Sequence, residues 1–159
     1  MRCFCLLLKY IYENSYYQFE DEFKDWRDAI KASFKILLNN KIVDESYVKA
    51  TIESVEKYGP YIIIAPYVAI PHASEGHDGC KGTAVSLMKV RNTVKFDPSN
   101  DERNVKLFFS IASNDKEQHM KNVKLIADTI SDFEILNDLI NEVENETMFK
   151  EYVKKKYLN

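Results

Sequence analysis

Glycine and proline are scarce in this sequence and lie almost entirely in one segment. All four glycines and three of the four prolines fall within residues 59–82. Glycine adopts backbone conformations closed to other residues, and proline fixes its own φ, so the sharpest turns of the chain are concentrated there. We predict regular helices and strands in the stretches on either side.

Two amphipathic helices are predicted before the glycine-rich segment. Asp25 can cap the amino end of the first helix, and Asp44 that of the second, which ends at the stop signal Gly59-Pro60. Apolar residues recur at helical spacing in both. Those predicted to face the core are Trp26, Ala29, Ile30, Phe34, Leu37 and Leu38 in the first helix and Val48, Thr51, Val55 and Tyr58 in the second.

Three strands are predicted in the middle of the chain. Residues 61–65 are apolar without alternation, which is typical of a strand buried on both faces. Residues 84–90 form a second candidate strand. Residues 105–112 form the third, and their apolar side chains on both faces favour a central place in a sheet.

A long helix is predicted after the third strand. Asn114 can cap it, with Glu117 completing a start similar to a capping box. Its predicted inner face consists of Met120, Val123, Ala127 and Ile130, and further helices are predicted from about Asp132 and Thr147. Helices around a strand-rich middle predict an α/β layered domain, and the absence of repeats or linkers predicts one domain over residues 1–159.

The charge balance argues against two classes of partner. With 22 Lys and Arg against 25 Asp and Glu, the net charge of −3 offers no broad basic face for nucleic acid or anionic lipid. Three cysteines, at positions 3, 5 and 80, make a poor disulfide framework. We therefore predict a reducing, cytoplasmic location.

The amino-terminal residues 1–9 begin like a signal peptide. Their apolar run of six residues ends at Lys9, whereas a signal sequence needs about 7–15 apolar residues and a membrane span about 20. No direct membrane insertion is predicted. The segment is expected to be either a buried helix turn or an extension that precedes the domain.

Two of the three histidines are candidates for phosphoryl or proton transfer. His72 follows Pro71, which stiffens its loop, and an imidazole with the ordinary pKa of about 6.5 is largely neutral at pH 7. His119 lies near the positive end of the predicted long helix, where an anion would be stabilised. The alternative for His72 is a loop histidine without a function, and the alternative for His119 is a solvent-exposed helix histidine without a function.

His77 and Cys80 leave two weaker hypotheses open. With His72 they supply three possible metal ligands within nine residues, although their spacing matches no strong zinc signature. A Cys80–His nucleophile pair lacks an identifiable orienting residue. The glycine-rich segment also lacks the P-loop and dinucleotide-binding patterns, so the sequence predicts neither a nucleotide nor a metal cofactor.

The residues around His72 form a long and specific pattern. Residues 56–73, EKYGPYIIIAPYVAIPHA, resemble the signature E-x-x-G-P-Y-I-x-x-A-P-x-x-A-[LI]-P-H-A of enzyme IIA domains of the phosphotransferase system (PTS). The similarity is to the ascorbate-type branch of the mannitol/fructose class, and it covers roughly residues 10–153. Shorter matches lie at residues 25–30, 86–88, 94–96 and 115–120.

The resemblance implies a fold, an activity and partners. Members are three-layer α/β sandwiches with a mixed, roughly five-stranded sheet flanked by helices. They are cytoplasmic phosphocarriers that need no cofactor. The histidine of the P-H-A motif, here His72, accepts phosphate from HPr and passes it to a IIB domain, which serves a membrane IIC component. A second histidine, here His119, assists the phosphorylated one.

Other residues near His72 are weaker candidates. Some are candidates for contacting the phosphate. Others are candidates for a partly apolar surface on which HPr would dock transiently. The candidate phosphate contacts are Ser74, Thr83 and Ser86, and the candidate docking residues are Tyr67, Val68 and Ile70.

One departure from the family pattern bears on the carbohydrate. Mannitol-type members carry an arginine at about the position of Glu56, which favours the ascorbate-like branch and a system for ascorbate or a related carbohydrate. The alternative function is regulatory, in which phosphorylation reports the state of the donor to a partner without sugar transport. The E-x-x-G-P-Y-I stretch belongs to transport-type members and favours transport.

Overall fold

The computed structural model describes residues 3–158, with side chains from residue 6 onward. Within that range the chain forms seven α-helices and five β-strands. The helices are α1 (Cys3–Glu13), α2 (Trp26–Ser33), α3 (Lys35–Asn39), α4 (Glu45–Tyr58), α5 (Lys116–Ile130), α6 (Phe133–Asn137) and α7 (Glu146–Tyr157). The strands are β1 (Tyr17–Glu20), β2 (Ile63–Ala65), β3 (Tyr67–Ala69), β4 (Ala84–Lys95) and β5 (Asn104–Ala112). A 3₁₀ turn spans Asp101–Arg103, and a π-helical turn spans Asp138–Glu142.

The strands form one mixed sheet in the order β1-β4-β5-β3-β2. The β1–β4 and β3–β5 pairs are parallel, and the β4–β5 and β2–β3 pairs are antiparallel. The predicted central position of β5 is confirmed. The expectation that residues 61–65 are buried on both faces is wrong, because β2 is a three-residue edge strand with Ile64 exposed.

Helices cover both faces of the sheet and give the expected three-layer sandwich. Helices α2, α3 and α4 pack on one face, where Phe34 and Phe108 are buried. Helices α1, α5, α6 and α7 pack on the other, where Phe109 and Phe149 are buried. Phe108 and Phe109 are neighbours on β5, and the alternation of side chains along a strand sends one into each core.

Helix α1 packs part of the amino-terminal segment against the second face. Leu7 and Leu8 are buried there, in agreement with the alternative of a buried helix turn. The prediction for residues 1 and 2 lies outside the described residues. No helix within residues 3–158 is long and apolar enough to cross a membrane.

Helix starts follow local capping chemistry. Asp25 and Asp44 cap α2 and α4 as predicted, and Gly59 ends α4 with φ = 82°. The predicted cap Asn114 is wrong, since the carboxylate of Asp115 accepts the Gln118 N–H at 2.9 Å. The first predicted helix is also divided at Phe34 into α2 and α3.

The inner face of α5 differs from the predicted one. Val123 and Ile130 pack against the core as predicted, but Met120 is 59% exposed, and the fully buried positions of the helix are Asn122, Ile126 and Thr129. Asn122 donates to Ser113 Oγ at 3.1 Å, and the Thr129 hydroxyl donates to the carbonyl oxygen of Leu125. Polar residues can occupy this face because they find hydrogen-bond partners there.

Candidate functional site

His72 lies just beyond the carboxyl end of β3, and backbone hydrogen bonds hold its loop on both sides. The Ile70 N–H donates to the carbonyl oxygen of Ile62 at 2.8 Å, and the Ile111 N–H donates to that of Pro71 at 3.0 Å. The loop therefore continues the pairing of β3 beyond the strand itself. This is the rigid mounting predicted from Pro71.

One ring nitrogen of His72 is engaged by its own loop. Nδ1 lies 2.6 Å from the carbonyl oxygen of Ile70. A carbonyl oxygen only accepts hydrogen bonds, so Nδ1 carries the proton of the neutral ring and donates it. The lone pair of the neutral imidazole is therefore on Nε2.

Tyr61 supports His72 through two contacts. Its hydroxyl donates to the His72 carbonyl oxygen at 3.1 Å, and its ring meets the imidazole edge to face, with centroids 5.6 Å apart. Tyr61 was not among the site residues predicted from the sequence. Its position in the G-P-Y-I part of the motif was the signal available.

His119 meets His72 at the start of α5. The two ring centroids are 4.9 Å apart, with an interplanar angle of 41°. Strand pairing explains the encounter, because β3 lies beside β5 and the chain passes from β5 almost directly into α5. The structure thus brings together the two histidines selected from the sequence.

The surroundings of His72 favour its neutral form. Burial lowers the pKa of His72 below its ordinary value. The hydrogen bond to Ile70 opposes this shift, and the charge of His119 adds to it by repulsion. A neutral imidazole with a free Nε2 is the nucleophilic form of histidine.

An open pocket of about 290 Å³ lies beside His72. Tyr58 and Tyr61 form part of its wall. The prediction that Tyr58 faces the core is wrong, because this residue is 69% exposed at the end of α4. Exposed Met120 follows His119 in sequence. We call Tyr58, Tyr61 and Met120 the apolar rim; none of the three was among the docking residues predicted from the sequence. The pocket is lined by Ser54, Tyr58, Tyr61, His72, Ala73, Ser74 and Glu75.

The three candidate phosphate contacts have different environments. Ser74 is exposed and lines the His72 pocket. Thr83 Oγ1 accepts the Asn114 N–H at 3.4 Å, close to the start of α5. Ser86, the third residue of β4, lies opposite Ser110 and is only 1% exposed, so its prediction as a phosphate contact is wrong.

The side chains of the predicted docking residues Tyr67, Val68 and Ile70 do not form an exposed surface beside His72. Val68 and Ile70 are buried in the core on the second face of the sheet, because their strand is covered there by helices. Tyr67 is exposed, but it begins β3 and lies five residues before His72, which is about 16 Å in extended chain.

His77 and Cys80 belong to a separate part of the glycine-rich loop. His77 Nδ1 accepts the Gly79 N–H at 2.8 Å, and its ring packs edge on against Tyr47. Cys80 Sγ lies 3.0 Å from the carbonyl oxygen of Gly82. Among the described residues, no group of three or more His, Cys, Asp or Glu side chains could hold a metal ion.

Glu56, at the position expected to be arginine in mannitol-type members, forms an ion pair with Arg27 of α2. Arg27 of α2 contacts its carboxylate at 3.3 Å and that of Asp25 at 3.2 Å. Arg27 also lies over the ring of Trp26. A guanidinium therefore reaches the last turns of α4 from α2, although position 56 itself is acidic.

Comparisons with known proteins agree with this architecture. Residues 11–156 match the family described as phosphoenolpyruvate-dependent sugar phosphotransferase system, EIIA 2. The mannitol-specific cryptic phosphotransferase enzyme IIA component of Escherichia coli K12 is 35% identical over 74% of this chain and 78% of its own length. The ascorbate-specific PTS system EIIA component of Mycoplasma pneumoniae is 32% identical over 79% of this chain and 78% of its own.

Solved structures show the same fold. The solution structure of the mannitol-specific cryptic enzyme IIA CmtB from Escherichia coli aligns with a TM-score of 0.79 and 30% identity, over 98% of this chain and 99% of that one. Enzyme IIA of mannitol from Escherichia coli, solved in complex with phosphorylated enzyme IIB, shares the fold at 18% identity, with a TM-score of 0.71 over 89% and 95% of the two chains. The chain belongs to the EIIA 2 family of the phosphoenolpyruvate-dependent sugar phosphotransferase system and is a phosphotransferase component of such a system.

Proposed function

We propose that His72 is the residue that carries the phosphoryl group, with Nε2 as the attacking atom. The observation that carries this proposal is the engagement of Nδ1 by the carbonyl oxygen of Ile70 at 2.6 Å, beside an open pocket. The half-buried ring is held by its loop and by Tyr61. Phosphoryl transfer asks a protein mainly for such positioning and for charge stabilisation.

The transfer exchanges one phosphorus–nitrogen bond for another. The lone pair of His72 Nε2 forms a bond to the phosphorus of a phosphohistidine on the donor, and the donor's own phosphorus–nitrogen bond breaks with its electrons returning to the donor ring. The His72 ring then holds a positive charge, which the Nδ1–H shares with the Ile70 carbonyl oxygen. Transfer to the acceptor is the reverse exchange.

His119 is proposed to assist through charge and hydrogen bonding. Its ring lies 4.9 Å from that of His72, in the first turn of α5. The amino end of a helix attracts anions, and an imidazole N–H there can donate to a phosphoryl oxygen. Ser74 and Thr83 are proposed as weaker phosphate contacts, Ser74 from the pocket wall and Thr83 from the approach to α5.

The proposed partners are HPr as donor and a IIB domain as acceptor, with IIC involved through IIB. The apolar rim of Tyr58, Tyr61 and Met120 beside His72 is the surface on which they would dock in turn. A carrier needs short-lived complexes, and small interfaces of this kind serve them. We also propose a cytoplasmic location and a single domain over residues 1–159.

The proposed carbohydrate is ascorbate or a related compound. Glu56 and its pairing with Arg27 depart from the mannitol-type pattern. This departure carries the proposal, because a mannitol-specific cryptic relative and an ascorbate-specific relative are similarly identical to this chain, at 35% and 32%. Transfer from the phosphorylated chain to an ascorbate-type IIB domain is expected to outpace transfer to a mannitol-type IIB domain. Faster transfer to the mannitol-type domain would overturn this assignment.

The phosphate acceptor can be tested with ³²P-labelled phospho-HPr. We expect stable labelling of the wild type and of His77→Ala, which removes a histidine outside the pocket, and no labelling of His72→Ala. His119→Ala should be labelled more slowly, and still at His72. Labelling of His72→Ala at the wild-type rate would refute the proposal.

A further inference from the structure

A second concavity lies at the other end of the sheet from His72. It has a volume of about 480 Å³, within the usual range for small-molecule sites. Its walls come from the starts of β3 and β5, the end of β4, α6 and the π-helical turn. Along β5 it is separated from the His72 end by about 20 Å, the length of six strand residues.

Apolar side chains dominate this groove. Tyr67, Leu136 and Ile140 line it, and Phe133 stands at its edge with 85% of its surface exposed. Phe133 is the most exposed large hydrophobic side chain in the described part of the chain. An aromatic ring left in water beside an apolar concavity is typical of a ligand or partner site.

Three backbone irregularities converge on the groove. The β3–β5 pairing shifts between Tyr67 and Val68 and leaves Lys106 as an extra residue on β5. The β4–β5 pairing shifts between Lys89 and Val94, next to Thr93. Tyr67 itself has φ = 67°, which is rare for a bulky residue. Bulges of this kind redirect side chains and are common beside functional sites.

Positive charge is concentrated at one end of the groove. Lys106 lines it and also lines a small adjoining crevice with Lys89, Arg91 and Glu144. The crevice thus holds three cations and one carboxylate, and Arg91 is also paired with Asp21 at 4.0 Å, outside the crevice lining. Lys106 makes no salt bridge with any carboxylate of the described residues. The acidic residues Asp101 and Glu102 lie on the other side of Tyr67, in a separate concavity.

The wall beneath this cationic end is already formed. The Nζ of Lys89 donates to the carbonyl oxygens of Leu139 and Val143 at 2.7 Å each, which fixes the π-helical turn carrying Ile140. The pKa of Lys89 is lowered to about 8, mainly by burial and also by the charges of Lys106 and Arg91, against the opposing effect of Glu144. The crevice is therefore a place where an added negative charge is favoured.

We propose that this groove binds a small amphipathic carboxylate, with its aromatic or aliphatic body against Tyr67, Leu136 and Phe133 and its carboxylate on Lys106. The apolar lining suits the body of such a ligand, and the unpaired ammonium suits its anionic group. The site is independent of the proposed phosphate transfer, so a ligand there could be bound while His72 exchanges phosphate with its partners.

The proposal can be tested by titrating the ¹⁵N-labelled full chain with 3-phenylpropionate and with its uncharged amide, and following amide shifts by NMR. We expect saturable shifts at Thr93, Lys106, Phe133 and Asn141 with the acid, and at least about tenfold weaker binding of the amide. Lys106→Gln should weaken the acid about tenfold and leave the amide unchanged. Phe133→Ala should weaken both.

Lys121→Gln, which alters an exposed lysine of α5, is the matched control and should bind the acid like the wild type. Labelling by phospho-HPr should also be unchanged in Lys106→Gln, which separates this proposal from that for His72. Equal affinity for acid and amide, shifts located away from the groove, or no saturation at millimolar acid would each overturn the proposal.

Discussion

The His72 imidazole combines two features that are individually common in proteins and together favour nucleophilic chemistry. Its Nδ1 is committed to the carbonyl oxygen of Ile70, and its pKa is lowered by burial and by the nearby His119. The hydrogen bond selects the free nitrogen, and the low pKa keeps that nitrogen unprotonated near neutral pH. Tyr61 then limits the motion of the residue by bonding its carbonyl oxygen.

Phosphate acceptance should depend on pH in a direction set by the lowered pKa of His72. The rate is expected to rise with pH, with its midpoint below about pH 6.5, the ordinary pKa of histidine, because only the neutral ring attacks. In His119→Ala the pKa of His72 should rise, since a repelling charge is lost. Rapid-quench kinetics and NMR titration of the imidazole measure the two effects.

The same shift has a consequence for stability. Because the folded protein binds the His72 proton less tightly than the unfolded chain, the contribution of this group is full above about pH 6.5 and is lost as the pH falls through the folded-state pKa. A His72 pKa above 6.5 in the wild type, or a fall of that pKa in His119→Ala, would contradict this interpretation.

At the level of elements, one capping residue controls the position of His119. Asp115 caps α5, and the His119 N–H donates to the Asp115 carbonyl oxygen at 3.0 Å. Loss of the cap loosens the first turn, in which His119 lies. The site thus depends on helix capping as well as on strand pairing.

Asp115→Ala is expected to lower the free energy of unfolding by about 1 kcal/mol and to slow phosphate acceptance. The matched variant is Asn114→Ala, which removes the side chain of the neighbouring residue that was predicted from sequence to be the cap. It should change stability by less than about 0.5 kcal/mol. Urea denaturation of both variants measures the difference. Equal losses of stability in the two variants would contradict the assignment of Asp115 as the cap.

Lys89 links β4 to the π-helical turn. Lys89→Met should destabilise the protein by about 1–3 kcal/mol, because the carbonyl oxygens of Leu139 and Val143 lose their donor. The folded-state pKa is lowered to about 8 from 10.5, so the unfolded chain binds more protons between these values. The contribution of Lys89 to stability therefore rises with pH across that window.

The stability difference between wild type and Lys89→Met should accordingly grow between about pH 8 and 10.5. Lys121→Met, at an exposed position, is the control and should show no such trend. Denaturant titrations at several pH values measure it. A difference that stays constant or shrinks with rising pH would count against the assigned shift.

The elements that the sequence predicted correctly are those with strong local signals. Asp25, Asp44 and Gly59 mark helix ends through their own side chains or backbone, and the apolar run of β5 required a central strand. The short strands β1 and β3 were missed, because three or four residues carry little periodicity and owe their conformation to their partners β4 and β5.

At the scale of the whole molecule, the sheet separates two surfaces. His72 and the apolar rim lie at one end, and the groove beside Phe133 lies at the other. The pairing of His72 with His119 was predictable from the family motif. The apolar rim was not, because exposure is decided by packing: Val68 and Ile70 are as apolar as the rim residues but face the core.

The two surfaces should respond separately to substitution. Tyr58→Ala is expected to reduce labelling by phospho-HPr about fivefold or more at low donor concentration, mainly through a higher KM, because an apolar docking contact is lost. Phe133→Ala, which removes an exposed aromatic ring at the other end, should leave labelling unchanged. Steady-state transfer kinetics distinguish these outcomes, and equal losses in both variants would argue against docking at the apolar rim.

The most direct test of the role of His72 is mass spectrometry of the chain after reaction with phospho-HPr, under conditions that preserve the acid-labile phosphorus–nitrogen bond. We predict one phosphoryl group per chain, carried by His72. A phosphoryl group carried instead by His119, His77 or a hydroxyl side chain, with His72 unmodified, would contradict that role.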